Sequence, residues 1–244
     1  MKALHVVVIA ICGALYAVVG YLIYIFLPIT APGIGIVRFW PSVVIPAVFS
    51  VLFGPLVGGF GAAIGIFISD TMIHNDPVLS LIVGVPSNFV GFYFIGVISR
   101  KNLEWTKTLI ILSAIVCLSS IGLGYALYLY VSLNATILFI SLIIATYLIT
   151  LFIGFKWPEW RSYGIASIVG LAVGSAIIGI GVWAYSHIFL LPKAVGGGTN
   201  LPFWTTFVWF VWTFATEVPF LIILGPPILK ACYKAFPSII HNRD

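Results

Sequence analysis

Charge is what this sequence has least of. Its 244 residues include eleven Lys and Arg and six Asp and Glu, 7% in all, against 62% hydrophobic residues. A soluble domain carries about 25% charged residues. So few charges cannot cover a water-soluble globule of this size, and the mean hydropathy of +1.21 agrees. The formal net charge of +5 does not indicate nucleic acid. The basic residues are not clustered with interleaved aromatics but lie between hydrophobic runs, where cations orient membrane segments.

Cysteine is nearly absent too. Cys12, Cys117 and Cys232 lie within or at the end of apolar runs, with no CxxC and no Cys/His spacing. That excludes a disulfide framework and a zinc site, and no other metal or cofactor is expected. There is no GxSxG, no HExxH and no pair of acids spaced for hydrolysis, so no catalytic residue is assigned. No GxxxxGK[ST] occurs either, so any nucleotide-driven step belongs to another chain.

What is present is a series of apolar runs. Crossing a bilayer core of roughly 30 Å takes about 17–25 helical residues, and the runs fall at 3–27, 37–53, 55–73, 79–99, 107–131, 134–155, 164–190 and 203–230. The expected fold is an all-α polytopic membrane protein, a single transmembrane domain of about eight helices. The first run is too long for a signal-peptide core and lacks a cleavage site, so it reads as a retained helix. Gly54-Pro55 splits one apolar block into spans two and three. With the N-terminus inside, nine of the eleven basic residues fall in cytoplasmic segments, and only Arg38 and Lys193 fall outside. Fusing spans two and three would scatter that bias. The charges therefore support the break, and both termini are expected in the cytoplasm of a multi-pass cell-membrane protein.

Small residues form stripes. Span one carries Ala10, Gly13, Ala14 and Ala17, span three Gly54, Gly58, Gly61 and Gly65, and span seven Gly170 and Gly174. Such stripes let helices approach closely, within the bundle or against another subunit. Of the acids, Glu217 lies deep inside span eight, just before Pro219, where an ionisable group costs a few kcal/mol and marks a partner or polar cavity. Asp70 closes span three and Asp76 follows it. Arg38 stands in an otherwise apolar Gly- and Pro-rich loop, either solvated or folded over the bundle. Asn88, His74, Asn75, Tyr185 and His187 add polar groups on the outer half. Trp204 fits an interfacial aromatic belt. Trp209 and Trp212, deeper and three apart, are expected on one face with Glu217, as a ligand pocket or a packed aromatic interface.

Four stretches of the first hundred residues resemble the substrate-binding S component of energy-coupling factor (ECF) vitamin transporters. They are the stripe Ala10 to Ala17, the loop leading into Arg38-Phe39-Trp40-Pro41, Leu52-Phe53-Gly54-Pro55 continuing through Gly61 and Gly65 to Asp70, and Pro86-Ser87-Asn88. Glu217-Val218-Pro219 and Gly225-Pro226-Pro227 also look like the family's last helix. The resemblance implies capture of a vitamin or related small molecule from outside. It implies partners as well: a transmembrane coupling subunit, docked on the first-helix stripe of Ala10, Gly13, Ala14 and Ala17, and two cytoplasmic ATPases. The substrate would be held by Arg38, Trp40, Asn88, Trp209, Trp212 and Glu217. Family members have six helices, so 107–155 reads as a hairpin inserted into a six-helix core. The residues alone also admit a non-transporting membrane subunit of a larger complex, or an intramembrane enzyme depending on Glu217.

Overall fold

The computed structural model describes residues 3–27 and 39–236, and these are helical apart from short connections and one bridge between Leu191 and Gly198. The helices are α1 (Ala3–Phe26), α2 (Val44–Phe53, after a 3-10 turn Pro41–Val43), α3 (Pro55–His74), α4 (Pro77–Ile98), α5 (Trp105–Tyr130), α6 (Leu133–Lys156), α7 (Arg161–Ser186) and α8 (Thr205–Ala235). All but α2 are long and apolar enough to cross a membrane. The protein is an all-α polytopic membrane bundle. Successive helices alternate in direction, so the start of α1 and the end of α8 share one end, here called proximal. The loop from Leu191 to Leu201 lies at the distal end.

The span expected at 37–53 is shorter as a helix. Its described part is three residues of 3-10 turn and ten of α-helix, together about 20 Å long. Trp40 takes up part of the missing depth. Its ring lies against Gly20, where an added Cβ would fall 2.2 Å from it, and Gly20 is six residues below the end of α1. The chain therefore begins its descent inside the bundle.

Gly54 makes the elbow between α2 and α3 with φ 113°, a left-handed conformation that suits glycine. Pro55 opens α3 at a position where its missing N–H costs nothing. The elbow folds back tightly. A Cβ on Gly58 would overlap Ser50 Oγ at 1.7 Å, and Ser50 Oγ donates to the Phe92 carbonyl at 2.8 Å. At the distal turn Asn75 ends α3 with φ 53°. Asp76 then caps α4, its Oδ1 accepting from the Val78 and Leu79 amides at 3.1 and 3.0 Å and its Oδ2 from the Tyr185 hydroxyl at 2.8 Å. Asp76 is thereby a capping residue.

Packing explains the glycines of spans three and seven. A Cβ on Gly65 would sit 2.7 Å from the Gly13 carbonyl, and one on Gly170 2.5 Å from the Gly91 carbonyl. These residues bring α1 against α3 and α4 against α7, in the way membrane helices gain van der Waals contact without a hydrophobic driving force. The stripe of α1 is consequently not one surface. Gly13 and Ala17 are buried against the chain's own helices, whereas Ala10 and Ala14 are exposed. Each residue turns about 100°, so Gly13 lies about 100° from Ala14 and falls on the inward side. Gly13 and Ala17 are corrected from docking residues to internal packing residues.

The hairpin α5–α6 stands apart. It enters and leaves at one point of the proximal end, where Ser162 Oγ donates to the Lys101 carbonyl at 2.7 Å. Its inner side meets α8 through Leu127, Phe139 and Ile143, which pack with Trp212.

Candidate ligand cavity

The last helix shows how the site is built. Trp209, Thr213 and Glu217 follow at intervals of four, so each successive side chain turns only about 40° from the one before. All three line a central cavity. Trp212, three residues after Trp209, turns about 60° the other way, and its ring meets Phe139 edge-on at 6.3 Å. Trp212 therefore packs the hairpin and does not line the cavity, which corrects the expectation that the two tryptophans and Glu217 share a face.

Four other helices converge on the same space. Tyr16 comes from α1, Ile66 from α3, Ser87, Asn88, Gly91 and Phe92 from α4, and Gly170, Leu171, Gly174, Ser175 and Ile178 from α7. Trp40 enters from the segment before α2. The cavity has about 90 Å³ of water-accessible volume, within empty space of about 660 Å³ that includes its mouth. The enclosed 90 Å³ falls below the roughly 300–1,000 Å³ of sites that hold drug-sized ligands.

One side is aromatic. Tyr16 stands edge-on to Trp40 at 6.2 Å and to Phe92 at 6.0 Å, and Trp209 adds a fourth ring. The Tyr16 hydroxyl donates to Asn88 Oδ1 at 2.8 Å, and Asn88 Nδ2 donates to the Gly84 carbonyl at 3.0 Å. A tyrosine within a transmembrane helix needs such a partner for its hydroxyl. Asn88 thus fixes Tyr16, and the pair forms a wall that is apolar on its rings and polar at one edge.

Behind Asn88 lies a second polar group. Residues Ser80–Gly84 form a π-turn in α4, a widened turn that often accompanies functional sites. Asp70 is buried against it, accepting from Ser80 Oγ at 3.0 Å, with His74 Nε2 3.7 Å away. Gly84 makes room, since a Cβ there would fall 2.5 Å from Asp70 Oδ2. Asp70 is therefore only 3% exposed, set beside the turn that precedes Ser87 and Asn88.

The distal loop covers the cavity with Val195, which is buried and lines it. The loop is tied back on itself. The Leu191 amide donates to the Gly198 carbonyl at 3.0 Å, the Asn200 amide to the Ser186 carbonyl at 2.8 Å and the Leu201 amide to Ser186 Oγ at 3.0 Å. Gly196, Gly197 and Gly198 have φ of 104°, 68° and 91°, a run of left-handed backbone open to glycine.

Of the residues expected to hold substrate, the structure brings Trp40, Asn88, Trp209 and Glu217 together. Trp212 lies outside the cavity, and Arg38 lies outside the described residues. Sequence reasoning missed Tyr16, Ser175, Thr213 and Val195. Tyr16 had a signal, a phenol in the middle of an apolar span, and the others had none. Among the described residues no group of three or more His, Cys, Asp or Glu is gathered as a metal site. No known protein family, curated protein or solved structure matches this chain.

Proposed function

We propose that this protein is the substrate-binding membrane subunit of an ECF-type transporter, which takes up a vitamin-like small molecule and depends on partner subunits for ATP. The observation that carries this reading is the cavity, enclosed by five long helices and lined by Tyr16, Trp40, Asn88, Trp209 and Glu217 beneath the distal loop. A packed bundle without a ligand has no use for rings and polar edges converging on an open space. The basic residues support an orientation with both termini in the cytoplasm and the distal loop outside. Substrate would then enter past Val195.

Coupling to ATP would run through the exposed side of α1. Ala10 and Ala14 leave a shallow strip between Val7, Ile11 and Leu15, all at least 44% exposed. Such a strip suits close approach by a helix of another subunit.

The test is purification of the tagged full chain from its own membranes in mild detergent. The expected result is co-purification of one transmembrane protein and two chains carrying GxxxxGK[ST], lost in an Ala10→Trp, Ala14→Trp variant that stays folded. A chain that purifies without any nucleotide-binding partner, under conditions that preserve other membrane complexes, contradicts the reading.

A further inference from the structure

On its cavity side α7 carries a hydroxyl that the bundle does not use. Serines and threonines in membrane helices commonly donate to the carbonyl four residues earlier. Ser167 does so to Tyr163 at 2.9 Å on the same helix, Thr216 to Trp212 at 2.7 Å and Thr71 to Phe67 at 2.8 Å. Ser175 does not. It is fully buried, at 0% exposure, and its Oγ has no hydrogen-bond partner among the described residues. Ser42, Ser120, Thr146 and Thr206 also lack one, but none of them lines the cavity. Ser175 combines both properties.

A buried hydroxyl without a partner destabilises the state that contains it. Ser175 stands where that deficit can be made good from the cavity. Its neighbours on this wall are Gly91, Gly170 and Gly174, which present backbone and no side chain. Trp40, Phe92 and Trp209 line the same cavity. A space lined by both bare backbone and aromatic rings accepts a flat ring, which gains contact with aromatic faces. A single hydroxyl cannot replace the water shell of an ion, so the group that meets Ser175 is uncharged.

We propose that the molecule held in this cavity is a flat ring turning an uncharged hydrogen-bonding edge, of amide or lactam type, toward Ser175 of α7. This rests on the substrate-binding reading and adds to it the chemistry of one edge of the substrate. Ser175 is then a residue that sets specificity. Its hydroxyl is held ready by a helix that gives it no other partner.

The experiment uses the full chain in detergent micelles, stripped of co-purified molecules, with benzamide and toluene as paired fragments of similar size. Dissociation constants come from ligand-observed NMR. Benzamide is expected to bind at least about ten-fold more tightly than toluene, the worth of one well-made buried hydrogen bond. Ser175→Ala is expected to erase that preference, leave toluene binding unchanged, and keep or raise the thermal midpoint of the unliganded protein. Should the alanine variant fold poorly, Ser175→Cys, close in shape and weak in hydrogen bonding, takes its place. Toluene binding as tightly as benzamide, or benzamide binding undiminished in the variant, overturns the inference and leaves the cavity a binding site. Binding of neither fragment overturns the substrate-binding reading along with it.

Discussion

The core and the α5–α6 hairpin are both apolar helices, yet they are held by different means. In the most hydrophobic windows of α3, α7 and α8, 56% of residues are buried inside the protein; for α5 the figure is 12%. Core helices meet through glycine, serine and alanine, backbone close to backbone. The hairpin is attached mainly by large side chains around Trp212 and Phe139, and its two arms are joined to each other by a hydrogen bond between Ser113 and Tyr147. Hydropathy does not distinguish the two, since lipid and a neighbouring helix are equally apolar. The property that separates them is where small residues fall, and the cavity lies wholly on the side where they are dense.

This contrast is most open to challenge at the glycines. Gly65→Leu should destabilise the core by at least about 3 kcal/mol through overpacking, because the new side chain meets Tyr16 and the Gly13 carbonyl. Gly122→Leu on α5, where nothing lies within 4 Å, should stay within about 0.5 kcal/mol of the parent. Thermal unfolding in detergent, followed by tryptophan fluorescence, measures both. Similar losses in the two variants would erase the distinction between core and hairpin.

The two tryptophans of α8 sharpen it further. Trp209→Ala should weaken binding of the co-purified small molecule about 30-fold, or about 2 kcal/mol, as expected of a buried aromatic anchor. Trp212→Ala should leave that affinity within about two-fold and instead raise hydrogen exchange in α5 and α6, as expected where a packing contact is lost. Isothermal titration and exchange mass spectrometry on the same preparations read the two effects separately.

Much of this arrangement was legible in the sequence. Gly54-Pro55 announced the elbow because a left-handed residue and a proline at a helix start have few other uses. Glu217 stood out as an acid deep in an apolar span and Asn88 as a polar group on the outer half, whereas Trp40 entered only through the resemblance to S components. Trp212 was misplaced because three-residue spacing suggests one face, whereas the four-residue series Trp209, Thr213 and Glu217 follows the helix more closely. Ser175 could not be recognised at all. Beside Gly174 it resembles one more small packing residue, and only its missing hydrogen bond sets it apart. The π-turn at Ser80–Gly84 likewise packs against Asp70 from another helix, a contact that local sequence does not reveal.

A smaller effect is expected at Tyr16. Tyr16→Phe removes the hydroxyl that donates to Asn88 and should cost about 1 kcal/mol, seen as a fall of a few degrees in the thermal midpoint. Tyr125→Phe on the exposed face of α5, where the residue is 67% exposed, should change nothing measurable. The smallest effect belongs to the hairpin itself. Joining the chain across 105–157 with a short flexible linker should leave small-molecule affinity within about three-fold, because Lys101 and Ser162 already touch. An affinity lost on deletion would make the hairpin part of the site.

On the proposed reading the five-helix cavity holds a small molecule. Native mass spectrometry of the full chain, released gently from mild detergent, tests it most directly. One bound small molecule per chain is expected, retained under gentle activation and released on unfolding. A chain that appears bare, or that carries only lipids exchangeable with lipid added to the sample, would contradict it.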